Sequence, residues 1–433
     1  MRPHFTGLWR NADFLKLWTG QSISVFGSMI GGSAMTFTAI IFLHATPLEM
    51  AILSAARQVP AFVAGLMAGV WVDRLRRRPI LITTDLGRAL LLATIPLAAA
   101  FGALRIEHLY VVAFGTSLLT LLFDVAYQAY LPALVQREEV LEGNSKLTAS
   151  ASVAEFGGFS LAGWLVQWLS GPATILIDAL SFVVSAVSLA FIRRREPAGA
   201  PTAAQEPSGV WREIVDGLRV IRRNSVLLAI GITEVLLGIG QGIVGAIISL
   251  FMIDGLHFEP GVLGMIWAVG GVTSFLGATF AAAAARRWGA GGAMSGGLLF
   301  SGLGTLLVPL APGPTLLGAL LLVGNQVITD PAHTVYLVNE VSLRQRIVPG
   351  RLLGRVSATV RFGSLGATLV GAVAGGVLGE RTGLRPTLVA GCGLTLAAAL
   401  WLRLSPAGRL GPPPRREDQE LEARERSGLS VDF

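Results

Sequence analysis

Long apolar runs, punctuated by Gly, Pro and clusters of arginine, fill most of the chain. At the length a helix needs to cross a bilayer, about 20 residues, the runs fall near 17–43, 48–72, 79–103, 109–131, 147–169 and 172–192. A second set follows near 226–253, 261–285, 290–311, 315–337, 357–379 and 386–404. The fifth and sixth runs are parted only by the Ser170, Gly171, Pro172 turn. Between Trp288 and Thr329 lies an uncharged stretch. As one helix it would measure about 63 Å, twice the roughly 30 Å hydrocarbon core, so it must cross twice. The pattern predicts an all-α membrane protein with twelve transmembrane helices in two six-helix bundles.

Punctuation between the runs sets the domain plan: a first bundle over 1–192, a connector over 193–225, a second bundle over 226–404 and a disordered tail over 405–433. In the connector a Pro/Ala/Gly-rich linker precedes apolar positions at Trp211, Ile214, Val215, Leu218 and Ile221. That is the spacing of an amphipathic helix lying on the membrane surface. The halves also echo each other. Arg77 and Arg78 after the second span recur as Arg286 and Arg287 after the eighth, and Glu155-Phe156-Gly157 parallels Arg361-Phe362-Gly363. A repeat over half the length is the mark of transporters built from two related bundles, with the substrate between them near the midplane.

Composition sharpens this picture. Of 433 residues, 52% are hydrophobic and 14% charged, which excludes an ordinary soluble enzyme. Of the 34 Lys and Arg residues, 27 fall on the face that carries both termini and three on the other, so the termini are expected in the cytoplasm. The same asymmetry accounts for the net charge of +7 through anionic lipid, without nucleic acid. Cys392 stands alone, the histidines show no metal spacing, and neither Lys16 nor Lys146 sits in a phosphate-binding loop. No metal, cofactor, ATP site or catalytic cluster is expected, and the chain is read as a non-enzyme.

Charges inside the spans are costly and are functional candidates by default. Glu234 in the seventh span and Asp330 in the tenth, with His333 three residues on, are candidates for proton binding. Arg57 in the second span is a candidate for an anionic substrate group or for tuning a carboxylate, and Glu155 lies deep in the fifth. Gln21, Gln241, Asn325 and Gln326 are uncharged candidates for a cavity lining. Glu155 and Asp178 read more readily as structural, Asp85 with Arg88 as a local pair near the membrane surface, and Trp71, Trp164 and Trp267 as lipid-facing or packing residues.

One motif points to a family. The stretch GVWVDRLRRR, from Gly69 to Arg78, resembles the signature G-x-x-x-D-R-x-G-R-R between the second and third helices of the major facilitator superfamily. It matches at Gly69, Asp73, Arg74, Arg77 and Arg78, with Arg76 in place of the second Gly. The resemblance implies the major facilitator fold with pseudo-symmetric bundles. It also implies a cytoplasmic gate in which Asp73 meets the eleventh span, where Arg355 and Arg361 are the available partners. TDLGRALLL, DVAYQAYLPALV, GPATILIDALSFVVSA and VSLRQRIVPGRLLGRVSA resemble a narrower group, the bacterial exporters that include the enterobactin exporter and macrolide efflux proteins. Phe159 stands where exporters of the superfamily usually place Pro.

The combined expectation is a secondary active transporter of a bacterial inner membrane, a proton-coupled exporter of a bulky amphipathic small molecule such as a drug or siderophore. Its partners would be that molecule, protons and the bilayer. The alternatives are solute uptake or lipid flipping on the same fold, and a non-transporting membrane sensor or scaffold.

Overall fold

A computed structural model describes residues 7–65, 72, 75–193 and 210–411, without the side chains of 210, 211 and 213. Every regular element among them is helical. The helices are α1 (Ala12–Phe37), α2 (Pro47–Ala64), α3 (Arg77–Ala100), α4 (Ile106–Leu134), α5 (Val140–Leu169) and α6 (Gly171–Ala190), then the connector helix α7 (Val210–Arg223). They continue as α8 (Ser225–Leu250), α9 (Pro260–Thr305), the short α10 (Leu307–Leu310), α11 (Leu316–Ile347), α12 (Gly350–Thr382) and α13 (Leu384–Leu404). α9 is two spans, because Gly289 takes φ 74°, ψ 163° and turns the chain back. With its arms counted separately the fold has the expected twelve spans in two bundles. Length and hydropathy alone select eight, one of them the folded-back Pro260–Leu310. The spans missed are α2, α5 and α11, interrupted by Arg57 and Gln58, by Glu155, and by Asn325, Gln326 and Asp330.

Backbone groups at helix ends lack intrahelical partners. α11 runs to Ile347 and α12 begins at Gly350, so both extend well beyond the apolar runs at 315–337 and 357–379. Their charged ends are helical but too polar for the hydrophobic core. The turn between α5 and α6 is made by Ser170 at φ 82°, ψ 159°, a conformation suited to glycine, and Gly383 takes the same one between α12 and α13. Residues 405–411, expected to begin the disordered tail, are packed instead. Ala407 is fully buried, and the Leu410 carbonyl accepts from Gly291 N–H beneath the Gly289 turn. The remainder of the tail, and residues 194–209 of the connector, lie outside the described residues. α7 docks on α12, where a Cβ at Gly217 would lie 2.1 Å from Thr359 Oγ1.

The two halves repeat more deeply than the sequence comparison detected. Asn11 and Asn224, 213 positions apart, each cap a 26-residue helix by accepting two backbone N–H bonds. Both helices end in a π-turn, Thr38–Phe42 and Phe251–Gly255, followed by L-H-x-x-P at Leu43–Pro47 and Leu256–Pro260. His44 and His257 both adopt left-handed backbone, at φ 52° and 59°. A second repeat, offset by 206, relates Asp124, Ala126, Tyr130 and Leu131 of α4, with Val135 just after it, to Asp330, Ala332, Tyr336, Leu337 and Val341 of α11. Both tyrosines are fully buried.

These repeated turns seal one end of the molecule, the distal face opposite the termini. Pro47 starts α2 and packs on Gly376 and Gly379 of α12; Pro260 starts α9 and packs on Gly163 of α5. A Cβ at Gly163 would meet the Pro260 carbonyl oxygen at 2.1 Å, and one at Gly264 would meet the Phe159 carbonyl at 2.6 Å. Around this contact one apolar core takes Phe37, Met50 and Leu53 from the first half with Ile247, Phe251 and Leu322 from the second. Toward the terminal face the cores separate. Leu8, Phe14, Phe123 and Leu134 cluster within the first half, and Met294, Tyr336, Leu343 and Leu402 within the second.

Gly163→Leu should therefore pry α5 from α9 and lower stability by about 1–3 kcal/mol, the usual cost of overpacking. Gln167 and Glu259, whose side chains bond across this contact at 2.9 Å, give the measurement. Cysteines placed there should crosslink in the parent and several-fold less in the Gly163→Leu background, and equal crosslinking would refute the seal.

Candidate functional site

Just inside the distal seal, Trp267 of α9 stacks on Phe37 of α1 at 5.8 Å and meets Phe159 of α5 edge-on at 6.4 Å. Trp267 thus belongs to the closure between the halves, and Trp164 packs over Gly261 nearby. Trp71 lies outside the described residues. Toward the termini, contact between the halves continues along α2 and α12, where Phe62 and Phe362 stack at 4.3 Å. Glu155 lies one turn on the terminal side of Phe159 and is exposed. Its neighbour Val153 lines a lateral apolar crevice of about 730 Å³ between α1, α5 and α6. Residues two apart on a helix point roughly 160° apart, so Glu155 faces away from that crevice.

The second half presents a polar ladder. Glu234, Gln241 and Gly245 share one face of α8, seven and four residues apart. A Cβ at Gly245 would meet nothing within 4 Å, so this face borders open space. From α11, Tyr336 donates its hydroxyl to Glu234 Oε1 at 2.6 Å, and His333 Nε2 lies 3.4 Å from Gln241 Nε2. Glu340 follows one turn later, buried and paired with Arg344 at 3.3 Å. It escaped the sequence reading because it stands beyond the apolar run. Its i, i+4 spacing to Arg344 was the available signal.

Asp330 sits above this ladder against Gly270 of α9. A Cβ at Gly270 would lie 2.3 Å from Asp330 Oδ2 and 2.4 Å from Gln326 Nε2, so a larger residue there would displace both side chains. No hydrogen bond or ion pair is made by the Asp330 side chain among the described residues. Asn325 is buried and turned inward, donating to Gln326 Oε1 at 2.8 Å and accepting from Thr329 at 3.1 Å. Gln21 lies on α1 at the position equivalent to Glu234 by the 213-residue offset, its Oε1 buried without a partner among the described residues.

Charges of the first half are held more tightly. Arg57 donates to the Gly32 carbonyl of α1 at 2.8 Å. Asp178 packs against Gly27 and Gly31 of the same helix and accepts from Ser28 at 3.4 Å. Asp85 and Arg88 form the expected local ion pair, and it is enclosed by the protein, with side chains 0% and 5% exposed. The Arg88 guanidinium lies 4.4 Å from the Phe123 ring and 4.0 Å from that of Phe182. Aromatic faces thereby replace water around the cation.

Of the candidate gate, Gly69, Asp73 and Arg74 lie outside the described residues. Arg77 donates to the Ala129 carbonyl at 3.1 Å, and Arg78 to those of Leu189 and Ala190 at 3.1 and 2.5 Å. Both arginines thus satisfy carbonyls near the C-terminal ends of α4 and α6, where a cation also complements the helix dipole. Arg355 of α12 reaches Asp216 of the connector helix at 3.8 Å, and Arg361 is exposed.

The Arg88 pair yields a direct test. Removing one partner of a buried ion pair costs about 3–5 kcal/mol, so Arg88→Met should lower stability by that amount in thermal unfolding. Asp85→Asn with Arg88→Met should recover most of it. A double variant no more stable than the single would show that the pair does not act as a unit.

The sequence model of the Major Facilitator Superfamily matches residues 17–329 and 230–431. The chain is 28% identical over 406 residues to the uncharacterized MFS-type transporter YfiS of Bacillus subtilis, covering 91% of this chain and 94% of the relative. It is 27% identical to the multidrug efflux pump Tap of Mycolicibacterium fortuitum, covering 84% and 89%. To macrolide efflux protein A of Streptococcus pyogenes it is 25% identical, covering 57% and 60%. Among solved structures, the nucleoside transporter NupG superposes with a TM-score of 0.73 at 13% identity, over 90% of this chain and 98% of that one. A bacterial homologue of the iron transporter ferroportin superposes with a TM-score of 0.70 at 18% identity, over 90% and 98%. These two likenesses concern the fold. With two bundles of six spans, a closed distal end and a sequence match over most of its length, the chain belongs to the major facilitator superfamily.

Proposed function

We propose that this transporter is a proton-coupled exporter, an antiporter of a bulky amphipathic small molecule such as a drug or siderophore, working by alternating access in a bacterial inner membrane. The observation that carries the reading is the asymmetry between its two ends. The halves share one apolar core at the distal face and keep separate cores at the terminal face. With both termini in the cytoplasm, as the basic residues indicate, this is a form closed to the outside. The efflux relatives Tap and macrolide efflux protein A support export as the direction.

Energy for export comes from the membrane gradient in this reading, since the sequence offers no nucleotide-binding loop. One charge moved through 100 mV supplies about 2.3 kcal/mol, and one or two protons suffice to concentrate a solute. Asp330 is the first candidate for the proton, because no neighbour among the described residues holds its charge. Glu234 is the second, its carboxylate already receiving the Tyr336 hydroxyl. Arg57, Glu155, Gln241 and Gln326 are assigned to substrate and cavity, and Asp73 with Arg355 or Arg361 to the cytoplasmic gate.

Reporter fusions at Ala203 and Phe433 should both report a cytoplasmic location, and an external signal at either would sink the orientation. The coupling is tested with purified protein in liposomes carrying an imposed pH gradient and ethidium as the transported dye. Wild type should accumulate dye against its gradient and release protons in exchange. Asp330→Asn and Glu234→Gln should each still bind dye, but lose gradient-driven accumulation at least tenfold. If both variants exchange protons for dye at the wild-type rate, coupling lies elsewhere; if wild type moves no dye while protons flow, the substrate class is wrong.

A further inference from the structure

A groove of about 440 Å³ lies apart from the central site, between the second arm of α9 and α13. Gly292, Gly296, Leu299 and Leu396 form an apolar floor, with Trp288 and Arg403 at the end nearest the termini. A Cβ at Gly296 would meet nothing within 4 Å, so the missing side chain leaves usable space. Trp288 and Leu400 are each 61% exposed on the outer surface of the bundle, where the surrounding medium is lipid.

Arg403 is the charged residue in the lining of this groove, and the chain on either side of it is basic. Arg286 and Arg287 precede Trp288, Arg403 lies in the last turn of α13, and Arg409 follows in the packed segment 405–411. Neither 286–310 nor 384–411 contains an Asp or Glu. Arg403 donates to the Gly408 carbonyl at 3.2 Å, which leaves other guanidinium donors available. The Arg287 guanidinium lies 5.9 Å from the Trp288 ring. An aromatic ring at the bilayer boundary, basic side chains beside it and an apolar channel running inward match an anionic lipid in size order: headgroup, glycerol, acyl chain.

We propose that this groove is a binding site for one anionic phospholipid, its phosphate held by Arg403 with the neighbouring arginines and one acyl chain lying over Gly292 and Gly296. The site is independent of which solute the central cavity carries. Such a lipid would lie between the ninth and twelfth spans and tie them together at the terminal face.

Brominated-chain lipids quench tryptophan on contact and supply the test. The full-length protein, delipidated in dodecylmaltoside, is titrated with brominated phosphatidylglycerol, with brominated phosphatidylcholine and with glycerol phosphate as a chain-free competitor. Phosphatidylglycerol should produce a saturable quenching component that is absent in Trp288→Phe. Arg403→Gln should weaken that component about tenfold, since a charge-assisted contact to phosphate is lost. Gly296→Leu, whose Cβ meets nothing within 4 Å, should occupy the channel and abolish it. Equal affinity for phosphatidylcholine, quenching undiminished in Trp288→Phe, wild-type affinity in Arg403→Gln, or displacement by glycerol phosphate alone would each overturn the proposal.

Discussion

Close backbone approach between the halves at the distal face is the contact on which the rest of the molecule depends. Lipid tails are as apolar as leucine, so helices in a bilayer are not driven together by burial alone and rely on packing that small residues permit. Here each half offers the start of a helix at a proline, Pro47 or Pro260, and receives it on glycines of the other half, Gly376 with Gly379, or Gly163. Such contact has no slack. A Cβ at Gly163 would lie only 2.1 Å from the Pro260 carbonyl oxygen, so the two helices touch backbone to backbone or part. That two-state property is what an alternating-access device needs, because interfaces packed this tightly open as a unit.

The same constraint governs the polar groups. With no water in the hydrocarbon core, a charge left unmatched inside the protein is costly. Asp85 with Arg88, flanked by Phe123 and Phe182, and Asp178 on the Gly27–Gly31 stripe of α1 are matched in this way. Arg77 and Arg78 spend their donors on carbonyls near two helix ends. Basic residues that read as a loop motif in the sequence therefore also hold α4 and α6 in place.

Fold class, span number and the two-bundle plan were legible because hydropathy and loop charge are properties of segments, and a segment keeps them whatever its rotation. Helix length at the terminal face was not, since α11 and α12 continue as charged helices past the point where apolar runs stop. The candidate site was legible as a set of unusual residues and not as a geometry. Nothing in the spacing of Asp330 and His333 reveals that His333 turns to Gln241 while Asp330 lies on Gly270. Two repeats were present in the letters all along, L-H-x-x-P and the Asp, Ala, Tyr, Leu pattern of α4 and α11. They emerge once the helices that contain them are superposed in register.

Those repeats show where the halves cease to be equivalent. Gln21 stands at the place of Glu234, Arg57 at that of Gly270, and Tyr127 at that of His333. Asp124 and Asp330 are the same residue at the same place, yet Asp124 lies in the field of Arg88 while no cation among the described residues is paired with Asp330. The first half has its span cations, Arg57 and Arg88, fixed to a carbonyl and a carboxylate. The second keeps a carboxylate, an imidazole and a buried tyrosine along one gap. A symmetric pair of bundles can rock about its seal, but a gradient can drive that motion only if some group changes charge as access alternates. On the proposed reading the departures from symmetry supply that group, and they place it in the second half.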